Sequence, residues 1–377
     1  MINVFCSESK VLVCQVPCSG LEFDVFLGND HPQSADDFFA LFDIKIDSMP
    51  EKYGNISSLL GISSEKKMYI VPKDKLVEHR KKVVDLLDPL FSDTVNIEYF
   101  SSYIKCKQFL SSMVPAKIDL NTLNAVIDQQ QHDGVKNNLS TFFPVSGRTM
   151  PIKYSMTSSS TGRLSVVKGP RVLTSPAAFK KSLRSEHPGG KVLQIDLKSA
   201  EPNFALFSQG RPTSDSIYDD IASKALSSSV DRDTAKLITL SALYGQSISN
   251  LRKQLPPNLG AEGVLRKVKQ YFSYSDLLNN LTSMYNDGNF KNYLGRPLKT
   301  DKSRLLISHF LQSSVAEASI LMFSDFCSQH PDCSPLFVIH DALIIDCKKE
   351  FADHIMSSNV SLEFKSGKFP VSVCEVG

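Results

Sequence analysis

The chain has 377 residues, 42% of them hydrophobic, and a formal net charge of only +2 at pH 7. This length exceeds what one hydrophobic core usually organises, so we predict a soluble chain of more than one lobe. No apolar run approaches the roughly 20 residues that span a bilayer, and the first residues lack the basic-then-apolar order of a signal peptide. The eight cysteines include no CxxC pair. We therefore expect a cytoplasmic protein with reduced, mostly buried thiols, and we expect no membrane partner.

Charge is distributed unevenly along the chain. Residues 1–70 contain five Lys/Arg and ten Asp/Glu, whereas residues 151–195 contain eight Lys/Arg and one Glu. A polyanion would bind the second region rather than the first, although a solvated face is the alternative interpretation of any such charge run.

The first part of the chain divides into three regions that differ in composition and in the spacing of their apolar residues. Residues 1–72 alternate short apolar runs such as VLVCQV, FDVFL and MYIVP with turn residues, which predicts short strands. Apolar residues at helical spacing then predict helices over 73–91, 97–114 and 120–131. Residues 147–170 are rich in Ser, Thr, Gly and basic residues, which indicates an irregular or strand-and-turn segment that could follow a phosphate backbone.

Two aspartates stand at the ends of predicted strands. In KVLQIDLKSAE, Asp196 ends an apolar alternation, and Glu201 follows five residues later. In PLFVIHDALIIDC, only His340 and Asp341 interrupt two apolar runs, which predicts a hairpin with a charged tip. Two aspartates side by side repel each other, but they form a good oxygen cage for a hard divalent ion such as Mg²⁺. Considered alone, each aspartate is more often a turn or capping residue.

One predicted helix carries an unusual face. In RDTAKLITLSALYG, a residue recurs every four positions on one side: Arg232, Lys236, Leu240 and Tyr244. Two cations followed by an apolar and an aromatic residue suit a nucleoside triphosphate along the helix. The cations would meet its phosphates, and the other two residues its sugar and base.

Several motifs in order resemble the polymerase module of family A DNA polymerases, over roughly the C-terminal 60% of the chain. They are TGRLS at 161–165, DLKSAE at 196–201, RDTAKLITLSALYG at 232–245, Gln312 within HFLQSSVAEA, and HDA at 340–342. The resemblance implies an α+β right-hand fold with an antiparallel palm sheet, helical fingers and a helical thumb. On it we place a thumb-like region at 73–150, the palm at 151–200 and 303–377, and the fingers at 201–302. Residues 1–72 form a small β-rich region without an assigned role.

The resemblance also assigns roles. Asp196 and Asp341 would hold two Mg²⁺ ions, for which Mn²⁺ could substitute, and Lys236 would steady the triphosphate and protonate the leaving pyrophosphate. Arg232 would hold the outer phosphates. Glu201 would block the space beside the sugar C2′, with Tyr244 completing that wall. The partners implied are dNTPs and primer-template DNA.

Four further residues are implied to contact DNA: Thr161, Arg163, Gln312 and His340. Side chains that donate to minor-groove acceptors check base-pair geometry without reading sequence. An alternative for Arg163 is that it pairs only with a palm carboxylate. For Gln312 the alternative is a capping or core hydrogen bond, and for Glu201 it is a plain surface carboxylate.

The chain departs from the family pattern at two site positions. Ala342 replaces the glutamate of HDE, and Leu240 replaces an aromatic residue on the fingers helix. The residues ahead of the helical region are also fewer than a proofreading exonuclease needs, and no D-x-E stands on their strands. We therefore predict a DNA polymerase without proofreading.

Two other classes stay open. A single-subunit RNA polymerase would share the fingers-helix pattern but lacks a glutamate five residues after its first aspartate. An inactive, polymerase-derived nucleic-acid-binding protein would have little reason to keep both aspartates and both cations. We expect a monomer of viral, plasmid or mobile-element origin, in the host cytoplasm if viral, with the acidic N-terminal region as a candidate contact for a replication accessory protein.

Overall fold

The computed structural model describes residues 3–7, 10–18, 21–26, 36–45, 72–226 and 230–377. The chain divides into two compact units, Met1–Ile104 with Leu294–Pro297, and Lys105–Tyr293 with Leu298–Gly377. Every candidate site residue lies in the second, larger unit.

The smaller unit combines an antiparallel sheet with helices. Its elements are β1 (Asn3–Ser7), β2 (Lys10–Cys18), β3 (Leu21–Phe26), α1 (Asp36–Leu41), α2 (Lys73–Phe91) and most of α3 (Thr94–Ser111). Aromatic rings form its core: the Phe38 ring centroid lies 4.8 Å from that of Phe100 and 5.5 Å from that of Tyr99. The predicted strands within 1–72 are confirmed for VLVCQV and FDVFL, while MYIVP lies almost entirely outside the described residues.

The larger unit contains the remaining elements. Its strands are β4 (Lys117–Ile118), β5 (Lys153–Ser155), β6 (Ser165–Lys168), β7 (Leu183–Arg184), β8 (Lys191–Leu197), β9 (Cys333–Ile339), β10 (Ala342–Cys347), β11 (Ser361–Phe364) and β12 (Gly367–Glu375). Its helices are α4 (Leu120–Asp128), α5 (Asp133–Ser140), α6 (Ala200–Phe207), α7 (Ile217–Ile221), α8 (Arg232–Leu243), α9 (Ile248–Gln254), α10 (Ala261–Tyr271), α11 (Tyr274–Asn286), α12 (Leu306–Gln329) and α13 (Lys349–Ser357). Residues Ala177–Ser182 and Ser303–Leu305 each form a short 3₁₀ helix, and Ala222–Leu226 form a π-helical turn.

A five-stranded antiparallel sheet organises this unit. Its strand order is β11-β12-β8-β10-β9, so β8 and β10 are central neighbours. Buried residues from the sheet pack with α4, α5 and the 3₁₀ segment Ala177–Ser182, where the rings of Phe142 and Phe179 lie 4.4 Å apart. Burying such apolar surface is the main favourable contribution to folding. The α+β class with an antiparallel sheet is confirmed.

Helix α12 contacts β9, β11 and α6 and is largely buried. Within the described residues, Ser303–Gln329 is the one segment whose length and composition would let a helix cross a membrane, and 78% of its most apolar stretch is buried within the protein. That burial is the property of a core helix, and we interpret it as one.

The helices predicted from periodicity are present, with different precision at their ends. The helix predicted over 73–91 is confirmed as α2. The one predicted over 97–114 starts and ends three residues earlier, as α3, and α4 ends three residues before the predicted position 131. The strand-and-turn prediction for 147–170 is also confirmed, because β5 and β6 form an antiparallel pair within it.

Candidate active site

The two predicted aspartates are brought to the same end of the central sheet. Ala342 on β10 is the register partner of Asp196 on β8, and the Leu197 N–H donates to the Asp341 carbonyl oxygen at 3.1 Å. Asp341 follows His340 in the two-residue turn between β9 and β10. The backbone of His340 is left-handed, with φ 54°. The predicted hairpin with a charged tip is therefore confirmed.

Both carboxylates are held in surroundings that disfavour their charge. Burial, followed by repulsion from Asp196 and Glu201, raises the pKa of Asp341 to about 6. Burial also raises the pKa of Asp196, although the nearby ammonium groups of Lys180 and Lys236 oppose that change. In the part of the chain that the structure describes, neither side chain forms an ion pair or accepts a hydrogen bond from another residue.

Asp346, on β10, is a carboxylate that does have hydrogen-bond partners. It is buried, and it accepts hydrogen bonds from the Ser185 hydroxyl at 2.5 Å and from the Glu186 N–H at 2.8 Å. Buried charges usually have such partners, because an unpaired buried charge is costly. Among the described residues, Asp196 and Asp341 lack such partners, and in this they differ from Asp346.

This pair fits a divalent cation by its chemistry. Carboxylate oxygens are the ligands that Mg²⁺ prefers, and Mg²⁺ is commonly held by one or two carboxylates together with water and substrate phosphates. Among the described residues no group of three or more His, Cys, Asp or Glu could hold a metal. Asp196 and Asp341 thus offer two protein ligands, and substrate or water would have to complete the coordination.

Glu201, in the first turn of α6, is held from two sides. The Tyr244 hydroxyl donates to its Oε1 at 2.9 Å, and the Arg163 guanidinium forms an ion pair with the same oxygen at 3.1 Å. The Glu201 side chain is 19% exposed. Glu201 is therefore not a plain surface carboxylate. Arg163 does pair with a carboxylate, but this contact does not decide whether Arg163 pairs only with a palm carboxylate or also contacts DNA. Burial and the Glu201 charge raise the pKa of Tyr244.

Helix α8 presents the predicted face. Arg232 and Lys236 are exposed and Leu240 is partly exposed, whereas Ala235 and Ile238 on the other side are buried. The Asp231 side chain caps the helix by accepting from the Thr234 N–H at 2.9 Å. The helix ends at Leu243, and Gly245 follows with φ 66°, a conformation that suits glycine.

A cavity of about 310 Å³ lies beside these residues. Its lining brings together Arg163, Glu201, Gln312, His340 and Asp341, so four separate segments of the sequence meet there. Partial burial and the neighbouring Arg163 charge lower the pKa of His340. A neutral imidazole can both donate and accept hydrogen bonds.

One predicted residue stands apart, and two residues were missed. Thr161 is buried, shares a hydrogen bond of 3.1 Å with the Ser159 hydroxyl, and does not line the cavity. The positive charge of Lys180 opposes the rise in the pKa of Asp196, and its ammonium donates a hydrogen bond to the side-chain oxygen of Gln194. Tyr218 is buried under the Arg232 guanidinium, whose carbon lies 5.5 Å from the ring centroid. No local pattern marks Lys180 or Tyr218, because both act through distant parts of the chain.

Comparisons with known proteins bear on the fold. No family model and no curated protein sequence matches the chain. Among solved structures, the chain is similar to the polymerase domain of Pol1 from M. smegmatis in complex with DNA primer-template and dNTP. The TM-score is 0.52 at 13% identity, over 100% of this chain and 94% of that chain. The predicted polymerase fold is confirmed by this similarity, which at such low identity shows the fold alone.

Proposed function

We propose that this chain is a template-directed DNA polymerase that adds deoxynucleotides to a primer 3′ end by nucleotidyl transfer. One observation carries the proposal: a polymerase fold brings together Asp196, on β8, and Asp341, in the turn before β10, and among the described residues neither carboxylate has an ion-pair or hydrogen-bond partner. The similar domain from M. smegmatis binds DNA primer-template and dNTP, which supports the same ligands here. We assign family A membership on the motif order, with the palm, fingers and thumb at the boundaries that the motifs predicted.

Asp196 and Asp341 would hold the catalytic Mg²⁺, in two sites as the motifs imply. Bound there, the ions would lower the pKa of the primer 3′-hydroxyl and neutralise charge on the reacting phosphates. The role of the protein is to hold two carboxylates close together in a partly desolvated position. Their raised pKa values follow from that arrangement, and a bound cation would favour their ionised form.

The exposed cations of α8 would bind the triphosphate. Lys236 lies close enough to Asp196 to oppose the rise in its pKa, so its ammonium would lie near the phosphates of a nucleotide whose metal ion Asp196 holds. We assign to it the protonation of the leaving pyrophosphate. Arg232 stands one turn earlier, and its planar guanidinium suits the outer phosphates.

Glu201 would exclude ribonucleotides by occupying the space beside the sugar C2′. The contacts of Tyr244 and Arg163 with its Oε1 support this role, because two donors on one oxygen restrict the movement of the carboxylate away from an added hydroxyl. This fixed wall favours DNA over the RNA polymerase alternative. Leu240 would contact the sugar and base without providing the aromatic platform that the family has.

The cavity residues would contact the primer-template. Gln312 and the Arg163 guanidinium, which is 51% exposed, can donate to minor-groove acceptors that occupy similar positions in every correct base pair. His340 would contact the primer end beside Asp341. Thr161 would support the loop that carries Arg163 rather than touch DNA directly.

Primer extension tests the proposal. Asp196→Asn and Asp341→Asn should each abolish dNTP incorporation in Mg²⁺ while leaving primer-template affinity largely unchanged, because metals serve the chemistry and basic residues serve binding. Asp276→Asn is the matched control, since it removes an exposed carboxylate from α11. Extension by either site variant at the wild-type rate would refute the assignment.

A parallel reaction separates DNA from RNA synthesis. Wild-type protein supplied with dNTPs or with NTPs on one primer-template should extend efficiently only with dNTPs. Preferential use of NTPs would replace this proposal by the RNA polymerase alternative. Absence of extension with either set, with intact DNA binding, would favour the inactive binding protein.

A further inference from the structure

A second cavity lies away from the candidate active site. It has a volume of about 490 Å³, and its lining includes Phe207, Arg211, Thr213, Tyr293, Gly367 and Lys368. Ser372 on β12 is the register partner of Asp196, and Gly367 stands five residues before it. At about 3.4 Å per residue, this part of the lining lies about 17 Å along the strand from the level of Asp196. The cavity therefore lies too far from Asp196 to hold the reacting phosphates.

The charges of this cavity are positive. Among the described residues, its lining includes Arg211 and Lys368 and no Asp or Glu. The Arg211 Nη1 donates to the Tyr271 carbonyl oxygen at 2.6 Å, which fixes the guanidinium while leaving other N–H groups for a ligand. Lys368 pairs with Glu363 at 3.7 Å, but both side chains are 73% exposed, so this pair is weak and a phosphate could compete for the lysine.

Aromatic rings lie beside these cations. The Tyr293 ring packs on Phe207, with centroids 5.3 Å apart, and perpendicular to Phe204 at 5.5 Å. The Lys365 ammonium lies 4.7 Å from the centroid of the Tyr293 ring. Because Lys365 is exposed, another group could take its place over the ring. A flat, supported ring next to cations is how proteins hold unpaired nucleotides.

We propose that this cavity binds one nucleotide unit of a single-stranded polynucleotide. Arg211 and Lys368 bind one of the two phosphates that flank it, Lys365 moves off the Tyr293 ring to bind the other, and the base stacks on that ring. An acidic peptide would satisfy the cations but would leave the aromatic surface unused, so the combination favours a nucleotide. The proposal rests on this cavity and not on the nucleotidyl transfer proposed above.

Binding of a labelled (dT)12 strand, followed by fluorescence anisotropy across a salt series, tests the proposal. The main variant is Lys365→Gln/Lys368→Gln, and the control is Lys81→Gln/Lys349→Gln, which removes the same net charge from exposed positions elsewhere. Each phosphate contact with a single strand contributes about 0.7 to the log-log salt slope, or about 5-fold in affinity at 0.1 M salt. Loss of two contacts should weaken binding about 25-fold and reduce the slope by about 1.4.

The stacking role has its own variants. Tyr293→Phe should bind (dT)12 like the wild type, whereas Tyr293→Leu should bind roughly tenfold more weakly because it lacks a ring. Circular dichroism and thermal unfolding establish that each variant is folded. If Tyr293→Leu fails to fold, the lysine pair still decides the matter, because both lysines are exposed.

Competition distinguishes the sources of the phosphate. Inorganic phosphate, dTMP and an oligoglutamate peptide should each displace (dT)12 far less effectively than unlabelled (dT)12 does. Equal competition by dTMP would indicate that the ligand is a free nucleotide, and equal competition by oligoglutamate would indicate an acidic peptide. Either result overturns the proposal. Unchanged (dT)12 affinity in Lys365→Gln/Lys368→Gln also overturns it. Asp196→Asn should retain this binding even though it loses extension, so the two proposals fail separately.

Discussion

Replacing Asp341 by asparagine should make the metal-free protein more stable, even though it removes a residue proposed to be essential. Asp341 is partly buried near Asp196 and Glu201, and these surroundings raise its pKa from 3.8 to about 6. A carboxyl group that prefers its neutral form in the folded state opposes folding whenever it is ionised. Asparagine has nearly the same shape and no charge.

The size and sign of the effect follow from the two pKa values. A rise of about 2 units corresponds to about 3 kcal/mol of folding free energy. The penalty is absent below the unfolded pKa of 3.8, grows as the pH rises towards about 6, and is complete above that value. We therefore expect Asp341→Asn to gain about 3 kcal/mol at pH 8 and about half of that at pH 5.

Urea unfolding in the presence of EDTA, at pH 5, 6.5 and 8, measures this difference. Asp346→Asn is the contrasting variant: it disturbs a carboxylate that accepts two hydrogen bonds, so it should lose stability. Added Mg²⁺ should stabilise the wild type and not Asp341→Asn, because only the former keeps both ligands. An Asp341→Asn protein no more stable than the wild type at pH 8, or a gain that grows towards low pH, would refute the reasoning.

Three further predictions concern the sugar pocket, the backbone at His340 and proofreading. Glu201→Ala should raise the kcat/KM for CTP relative to that for dCTP by at least about tenfold, the equivalent of about 1.4 kcal/mol. Tyr244→Phe should change the same ratio in the same direction by less. An unchanged ratio in Glu201→Ala would show that Glu201 does not line the sugar pocket. His340→Ala should be less stable in urea than His340→Gly by about 1 kcal/mol, because only glycine adopts φ 54° without strain; equal stability would contradict this. A primer with a mismatched 3′ end should not be shortened by the pure protein in Mg²⁺, and any digestion would reveal a nuclease that sequence reasoning did not find.

Local patterns predicted the parts of this molecule that depend on neighbours in sequence. The four-residue repeat of α8 predicted that Arg232, Lys236 and Leu240 share one face of a helix, because helical geometry alone determines which residues share a face. The apolar runs around His340 and Asp341 predicted a hairpin for a similar reason: two residues suffice for its turn. Helix ends were less accurate, as for α3, because capping and packing contribute to them as much as periodicity does.

Contacts between distant segments were beyond such patterns. The pairing of β8 with β10 places Asp196 near Asp341 across 145 positions of sequence, and only the family resemblance anticipated it. Lys180 and Tyr218 reach the site from elements that carry no motif, and the second cavity joins the end of α6 to the β11–β12 hairpin. A charge or ring that acts through tertiary packing leaves no periodic signal in its own segment.

The two ends of the central sheet differ in a way that favours function over stability at one of them. At one end, β10 finishes near Asp346, whose carboxylate is fully hydrogen-bonded. At the other end, neither Asp196 nor Asp341 has an ion-pair or hydrogen-bond partner in the part of the chain that the structure describes. The turns beside them carry left-handed residues, Ser199 with φ 50° and His340 with φ 54°. Each such residue costs about 1 to 3 kcal/mol, in addition to the charge penalty of Asp341. The backbone strain and the charge penalty both lie where the strands reach the cavity. The buried core of the same sheet must offset both costs. Relieving either cost should therefore stabilise the protein at the expense of activity.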